Sequence, residues 1–310
     1  MALSLWSIIS CSKESALPQE QRVLQFSTVE SKSNLSLLFA TFKVWGEVCV
    51  ASASEPLIQG YRVNYINNQW SYTQGDGTEG QKMKYWSYSA DEYRFHAGAP
   101  LERVNEITAS SLTLRVDTTT SQNGTTLFTQ PYVIKRGDAQ FGNTVNLKFT
   151  YANCRVNVAV KCKASQEVTF SDIKLTPPAS VRYPTSCTMK LSYDWSRQSI
   201  SLTIPTKQSD NAPLKFSEIS IPAQSANSVE SSSPLYMIPD AGITGQWRAT
   251  LKIDGIEREV LFTVDKGWES GKSYIYSFLY TDQATLLFLG TTTELFIGED
   301  MENGGNHNFS

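Results

Sequence analysis

His96 and His307 are the two histidines of the chain, and they bound the acid–base chemistry it can carry. His307 belongs to a Gly/Asn-rich tail, so a Ser-His-Asp or Cys-His site would have to be built on His96. His96 sits in Tyr93-Arg94-Phe95-His96-Ala97, an alternating run in which a histidine is an ordinary strand residue. There is no GxSxG elbow, no Gly-rich loop opening a helix and no HExxH. A glycosidase pair could hide among the 30 carboxylates, but nothing in the sequence locates one. Cys49, Cys154, Cys162 and Cys187 show neither CxxC nor CxxH spacing, so no metal set is expected. They permit up to two disulfides in three pairings, or four buried thiols acting as small hydrophobes. Asp76 and Glu79 stand among Gly75, Gly77 and Gly80 without the alternating oxygen ligands of a calcium loop. Arg136-Gly137-Asp138 reads as a polar turn before the next strand. The expectation is a protein that is not an enzyme and holds no cofactor or metal.

The remaining chemistry is attachment. Ile8-Ile9-Ser10-Cys11 follows an apolar stretch and resembles a bacterial lipobox, in which the cysteine is the acylated first residue; no Lys or Arg precedes it. Cys11 is therefore the candidate lipid-attachment site, and polar residues 12–21 read as a tether. Elsewhere no run approaches the ~20 apolar residues of a spanning helix. With 27 Lys plus Arg against 30 Asp plus Glu, the net charge is -3. A chain so balanced has no basic stretch to neutralise successive phosphates, which argues against nucleic acid. Hydrophobic residues at 40% supply a real core.

A period of two recurs along the chain and helical periodicity does not. Leu112-Thr113-Leu114-Arg115-Val116, Val145-Asn146-Leu147-Lys148-Phe149, Val156-Asn157-Val158-Ala159-Val160 and Ile200-Ser201-Leu202-Thr203-Ile204 are half-buried strands by this criterion. Asp254-Gly255 between two alternating runs predicts a two-residue hairpin, because both positions must accept positive φ. The chain is expected to be all-β. Residues 1–22 form the signal-like segment and tether, 23–143 an aromatic, loop-rich N-terminal β-sandwich, and 144–310 a C-terminal β-sandwich with a polar tail. The two sandwiches are expected to pack independently. In the first block Trp70, Tyr72, Tyr85 and Trp86 allow two readings. They form a platform on which sugar rings stack, or they are core and cross-strand pairs.

The order of these pieces resembles the fimbrillin-like proteins, the type V pilus subunits of Bacteroidales-type bacteria. The resemblance rests on Trp70 ahead of Tyr85-Trp86-Ser87 and Tyr93-Arg94-Phe95-His96-Ala97-Gly98-Ala99-Pro100, and on Val145–Val158 as a strand pair opening the second domain. Its most specific element is Trp268-Glu269-Ser270-Gly271-Lys272-Ser273-Tyr274-Ile275-Tyr276. Two departures stand out: Tyr151 occupies a position usually held by His, and Leu295-Phe296-Ile297 the region of a usual late tryptophan.

The resemblance implies two tandem Greek-key-like, transthyretin-like sandwiches, exported as a lipoprotein to the outer membrane and cell surface. It implies a fimbrial subunit, anchor or tip protein that partners other subunits by β-strand addition in cell adhesion. A protease cuts such subunits after an arginine near the first strand, here Arg22 before Val23-Leu24-Gln25-Phe26. Loss of that strand opens a groove that a neighbour's strand fills, and Leu286–Leu289 or Leu295–Ile297 is the expected donor. The rival expectations are a surface lipoprotein binding a host or bacterial glycan, and a secreted hydrolase.

Overall fold

In the computed structural model the described residues are 22–28 and 39–296, apart from positions 52, 164, 224, 226 and 282. Cys11, residues 35–38, Ile297, His307 and the acidic tail lie outside them. The described chain is all-β, with three single-turn 3-10 helices and no α-helix. The Asp254-Gly255 hairpin forms as expected, with φ of 50° and 77° and Ile253 opposite Ile256.

A seven-stranded sheet organises the N-terminal half. Its order is Phe149–Tyr151, Leu127–Thr129, Glu92–Ala99, Thr41–Val50, Ala53–Ile66 and Gln69–Ser71, with Tyr132–Lys135 also paired to Glu92–Ala99. Alternation gives this sheet two faces. Phe42, Val44, Tyr93, Phe95 and Ala97 enter one core, which is closed by the parallel pair Phe26–Thr28 and Val145–Leu147. Trp45 and His96, directly opposite one another across two strands, point to the other side.

That other side is covered by a four-stranded sheet in the order Ser199–Asp210, Tyr183–Asp194, Ser111–Asp117, Val104–Ile107. Ser186 to Ser192 pair in register with Asp117 back to Ser111. Hydrogen bonding therefore does not respect position 143, and the two blocks do not pack independently. Val145–Leu147 and Phe149–Tyr151, expected to open the second block, pair with Phe26–Thr28 and Leu127–Thr129 of the first. The physical reason is the outer apolar face of Ser111–Asp117: Leu112, Leu114 and Val116 are buried against Met189 and Leu191. A composition change marks where loops alter, not which strand an edge will choose.

Asp117 ties the shared sheet together. Its carboxylate accepts from Ser186 Oγ at 2.7 Å and from Arg103 Nη1, with Arg115 Nε at 3.2 Å, while its carbonyl accepts from Asn153 Nδ2 at 3.1 Å. The rest of the C-terminal half is a sandwich around one core. Cys154–Cys162, Lys272–Tyr280 and Leu286–Leu295, with Val229–Glu230 and Leu235–Met237, form one layer. Val168–Thr176, Gly245–Ile253 and Ile256–Val264, with Leu214–Lys215 and Ile219–Ile221, form the other.

Candidate functional site

Residues 22–28 lie along the N-terminal core as a plug. Leu24 and Phe26 are buried while Gln25 between them is exposed, the period of two that a strand over an apolar trough requires. Phe26 meets Phe42, Tyr72 and Phe95 edge to face, with centroids 6.4, 5.9 and 5.7 Å away. The backbone is held from both sides. Leu24 N donates to Lys84 O at 2.8 Å, Trp86 N to Arg22 O at 2.9 Å, and Val145 N to Gln25 O at 2.8 Å. Tyr72 Oη donates to Leu24 O at 2.9 Å and accepts from Lys84 N at 3.0 Å; burial pushes its phenol above the usual range. Arg22 is exposed at the mouth, its Nη1 3.4 Å from Asn143 Oδ1.

This geometry corrects the sugar-platform expectation for two of its four rings. Tyr72 is buried in the plug's socket, and Trp86 is buried with Tyr93 and Phe141 centroids at 4.6 and 5.4 Å. A ring face already covered cannot stack on a sugar. Trp70 is half-buried against Phe42, Tyr65 and Phe39, and Tyr85 is the exposed member, bridging to Val23. Nothing in the spacing distinguished Tyr72, whose phenol clamps the strand, from its neighbours.

The other candidates are structural. Arg136 donates through Nε to Ala90 O at 2.8 Å and through Nη2 to Ser89 O and Asp91 Oδ1 at 3.0 Å, while Asp138 Oδ2 accepts from Lys135 N at 2.7 Å. Arg136 thus ties this turn to residues 89–91, and Asp138 closes the turn itself. Asn64 Nδ2 donates to Gln74 O and Asp76 O at 2.9 and 3.2 Å, holding the glycine-rich tip. No cluster of three metal-ligating side chains occurs among the described residues. Cys49, Cys154, Cys162 and Cys187 are buried.

Trp268–Tyr276 is a clasp. Trp268 is buried, its Nε1 donates to Tyr276 Oη at 3.1 Å, and its backbone exchanges two 3.1 Å hydrogen bonds with Asp240. Ser270 Oγ donates to Ala152 O at 3.0 Å and Gly271 N to Asn153 O at 3.0 Å, fastening the turn to the chain leaving the seven-stranded sheet. A Cβ on Gly267 would press on Ala241 Cα and come within 2.8 Å of Asp240 O. Gly267→Ala is expected to cost about 1–3 kcal/mol in urea unfolding, since backbone cannot yield as a side chain can. Gly137→Ala, where a Cβ meets open space, is the control expected to stay within ~0.5 kcal/mol.

The expected donor strand occupies its own fold. Leu286–Leu295 pairs along its length with Lys272–Tyr280. Leu286 is buried, and Phe288 lies 4.9 and 5.5 Å from the Phe262 and Phe278 rings. Phe296 stacks on Tyr151 at 4.0 Å. It is an edge strand, so its departure breaks one ladder rather than two.

Among the described residues no helix is long and apolar enough to cross a membrane. No curated protein matches the chain. The fold is similar to that of a fimbrial protein from Bacteroides vulgatus, at 14% identity and TM-score 0.60, covering 89% of this chain and 99% of that one. It is also similar to two candidate cell adhesion proteins. That from Bacteroides ovatus gives 10% identity and TM-score 0.53, with 91% and 99% coverage. That from Bacteroides uniformis gives 13% and 0.52, with 89% and 99%. The fimbrillin-like family model matches residues 47–294, most of the sequence and the whole of the Trp268–Tyr276 clasp, and the chain belongs to the fimbrillin-like family.

Proposed function

We propose that this chain is a fimbrial subunit, or an accessory anchor or tip protein, exported as a lipoprotein through Cys11 and joined to its neighbours by β-strand exchange for cell adhesion at the outer surface. The same reading takes its two halves as Greek-key, transthyretin-like sandwiches joined through their shared sheet. The observation that carries it is the plug. A short segment behind an exposed arginine fills an apolar trough with two side chains and satisfies backbone groups on both flanks.

We propose that maturation is a cut after Arg22. A cut after Arg22 leaves Val23–Thr28 on the chain rather than removing it. It severs one covalent hold and detaches the carbonyl that accepts from Trp86 N. The plug then has a free end and can be displaced, exposing Phe42, Phe95 and the unpaired Val145–Leu147 edge. An extended segment with apolar residues two apart would refill the trough. Leu286-x-Phe288 repeats the Leu24-x-Phe26 pattern and is the donor we propose.

Lipidation is tested separately. A fatty-acid analogue fed to expressing cells is expected to label the wild type and not Cys11→Ser, and the wild type is expected in the membrane fraction. Equal labelling of the two chains would remove Cys11 from the account. For assembly, the wild type cut after Arg22 is expected to form detergent-resistant oligomers and Arg22→Ala to remain uncut and free of them.

A further inference from the structure

The fold displays the Arg22 side chain and withholds the bond that follows it. The guanidinium is exposed, with Nη1 3.4 Å from Asn143 Oδ1. The backbone is committed instead. Arg22 O, the carbonyl of the Arg22–Val23 bond, accepts from Trp86 N at 2.9 Å, and Val23 faces Tyr85 in an antiparallel bridge. Leu24 N donates to Lys84 O at 2.8 Å, and the Leu24 side chain is fully buried. A serine or cysteine protease binds its substrate as an extended strand and polarises the scissile carbonyl with its own donors. An oxygen held by Trp86 N, on a strand whose next side chain is buried, cannot enter such a cleft. Tyr72 fastens both sides of this pairing, since its Oη donates to Leu24 O at 2.9 Å and accepts from Lys84 N at 3.0 Å. Phe26 is anchored further along, by Phe42 and Phe95 and by the ladder of Phe26–Thr28 with Val145–Leu147. Residues 22–24 and 26–28 are therefore two holds in series.

We infer that the folded chain gates its own cut: the Arg22–Val23 bond becomes a protease substrate only when residues 22–24 lift from Lys84–Trp86, while Phe26 stays seated, and Tyr72 sets how often they lift. This deepens the reading of Arg22 as the maturation site and rests on it. Lifting breaks the Arg22 O–Trp86 N, Leu24 N–Lys84 O and Leu24 O–Tyr72 hydrogen bonds and brings Leu24 into water. The ladder with Val145–Leu147 and the rings around Phe26 are untouched, so the opening is local and far smaller than unfolding. When opening and closing are fast beside cleavage, the rate of cutting follows the population of the open form. The order of events is then fixed. The outer hold releases first and is cut, and the inner hold keeps the trough filled until a neighbouring strand displaces it. A chain cut in this way does not expose its trough to water before a partner arrives.

The test uses trypsin as the probe and reads, by mass, the initial rate at which a chain beginning at Val23 appears. A synthetic peptide of residues 19–27 supplies the rate for the open site. The folded wild type is expected to be cut at least ~100-fold more slowly than the peptide, because opening loses three hydrogen bonds and the burial of one leucine. In sub-denaturing urea its rate should rise, with a slope below about a third of that for global unfolding, since the slope follows the surface exposed. Tyr72→Phe keeps the ring beside Phe26 and removes the hydroxyl, and is expected to be cut about 3–30-fold faster than the wild type. A wild type cut as fast as the peptide would overturn the inference. So would a urea slope equal to that of global unfolding, or a folded Tyr72→Phe cut at the wild-type rate. The first two readings need the wild type alone, so they decide even where the variant fails to fold. Oligomers of the cut chain test the maturation reading separately, and neither result depends on the other.

Discussion

Replacing Phe26 with alanine is expected to lower the unfolding free energy of the uncut chain by about 3–5 kcal/mol, the range for truncating a buried aromatic. The ring is 4% exposed and sits among Phe42, Tyr72 and Phe95, so nothing short of rearranging three other rings refills its place. Leu24→Ala, fully buried one step earlier, is expected to cost about 2–5 kcal/mol. Gln25→Ala should stay within ~0.5 kcal/mol, because that side chain faces solvent and its contribution is through its carbonyl. Urea unfolding of the three variants checks the pattern. A loss below ~1 kcal/mol at Phe26 would mean that the segment is a loose strap, and the trough beneath it would then be no acceptor site.

Acidification supplies the second large effect. His96 is fully buried between the seven-stranded and shared sheets, stacked 4.2 Å from the Tyr193 ring, and the backbone of Ser111 and Thr108 offsets that burial only in part. Burial therefore favours the neutral imidazole and lowers its pKa from 6.5 to about 3. Below pH 6.5 the unfolded chain binds a proton at this position that the folded chain refuses. The stabilisation is thus fully present above pH 6.5 and is lost as pH falls towards 3. The expected slope is about 1.4 kcal/mol per pH unit, read best between pH 6 and 5, before the carboxylates titrate. His96→Phe, which keeps a ring against Tyr193, is expected to remove that slope. An unchanged slope in the variant would place the imidazole in contact with water and disprove the packing of the two sheets at this point.

The two effects mark where sequence reasoning succeeds. Alternation at Leu24-x-Phe26 and Val156-x-Val158-x-Val160 follows from one buried face per strand, and it locates strands whatever their partners. Partner choice is non-local: nothing within Ser111–Asp117 says that Tyr183–Asp194 will lie beside it. That is why the division at 143 looked clean in composition and is crossed in three dimensions. The aromatic run of the first block was ambiguous for a related reason. A tyrosine with an exposed face and a tyrosine whose phenol clamps a neighbouring strand have the same local pattern, and only the folded chain brings Leu24 O to Tyr72. The clasp was legible because its demands are short-range. Tyr274 and Tyr276 reach back to Glu269 N and Trp268 Nε1 within one turn, and Gly271 takes a φ of 69°. Its hydrogen bonds fasten the turn to the body of the fold.

The most direct test of the exchange account is to cut the purified chain after Arg22, then follow its size in detergent together with hydrogen exchange at Val145 N–H, the donor to Gln25 O. The account predicts detergent-resistant oligomers in which that amide is protected by an incoming strand, and a faster-exchanging amide in any cut monomer left over. A cut chain that remains wholly monomeric, with Val145 as protected as before the cut, would contradict it.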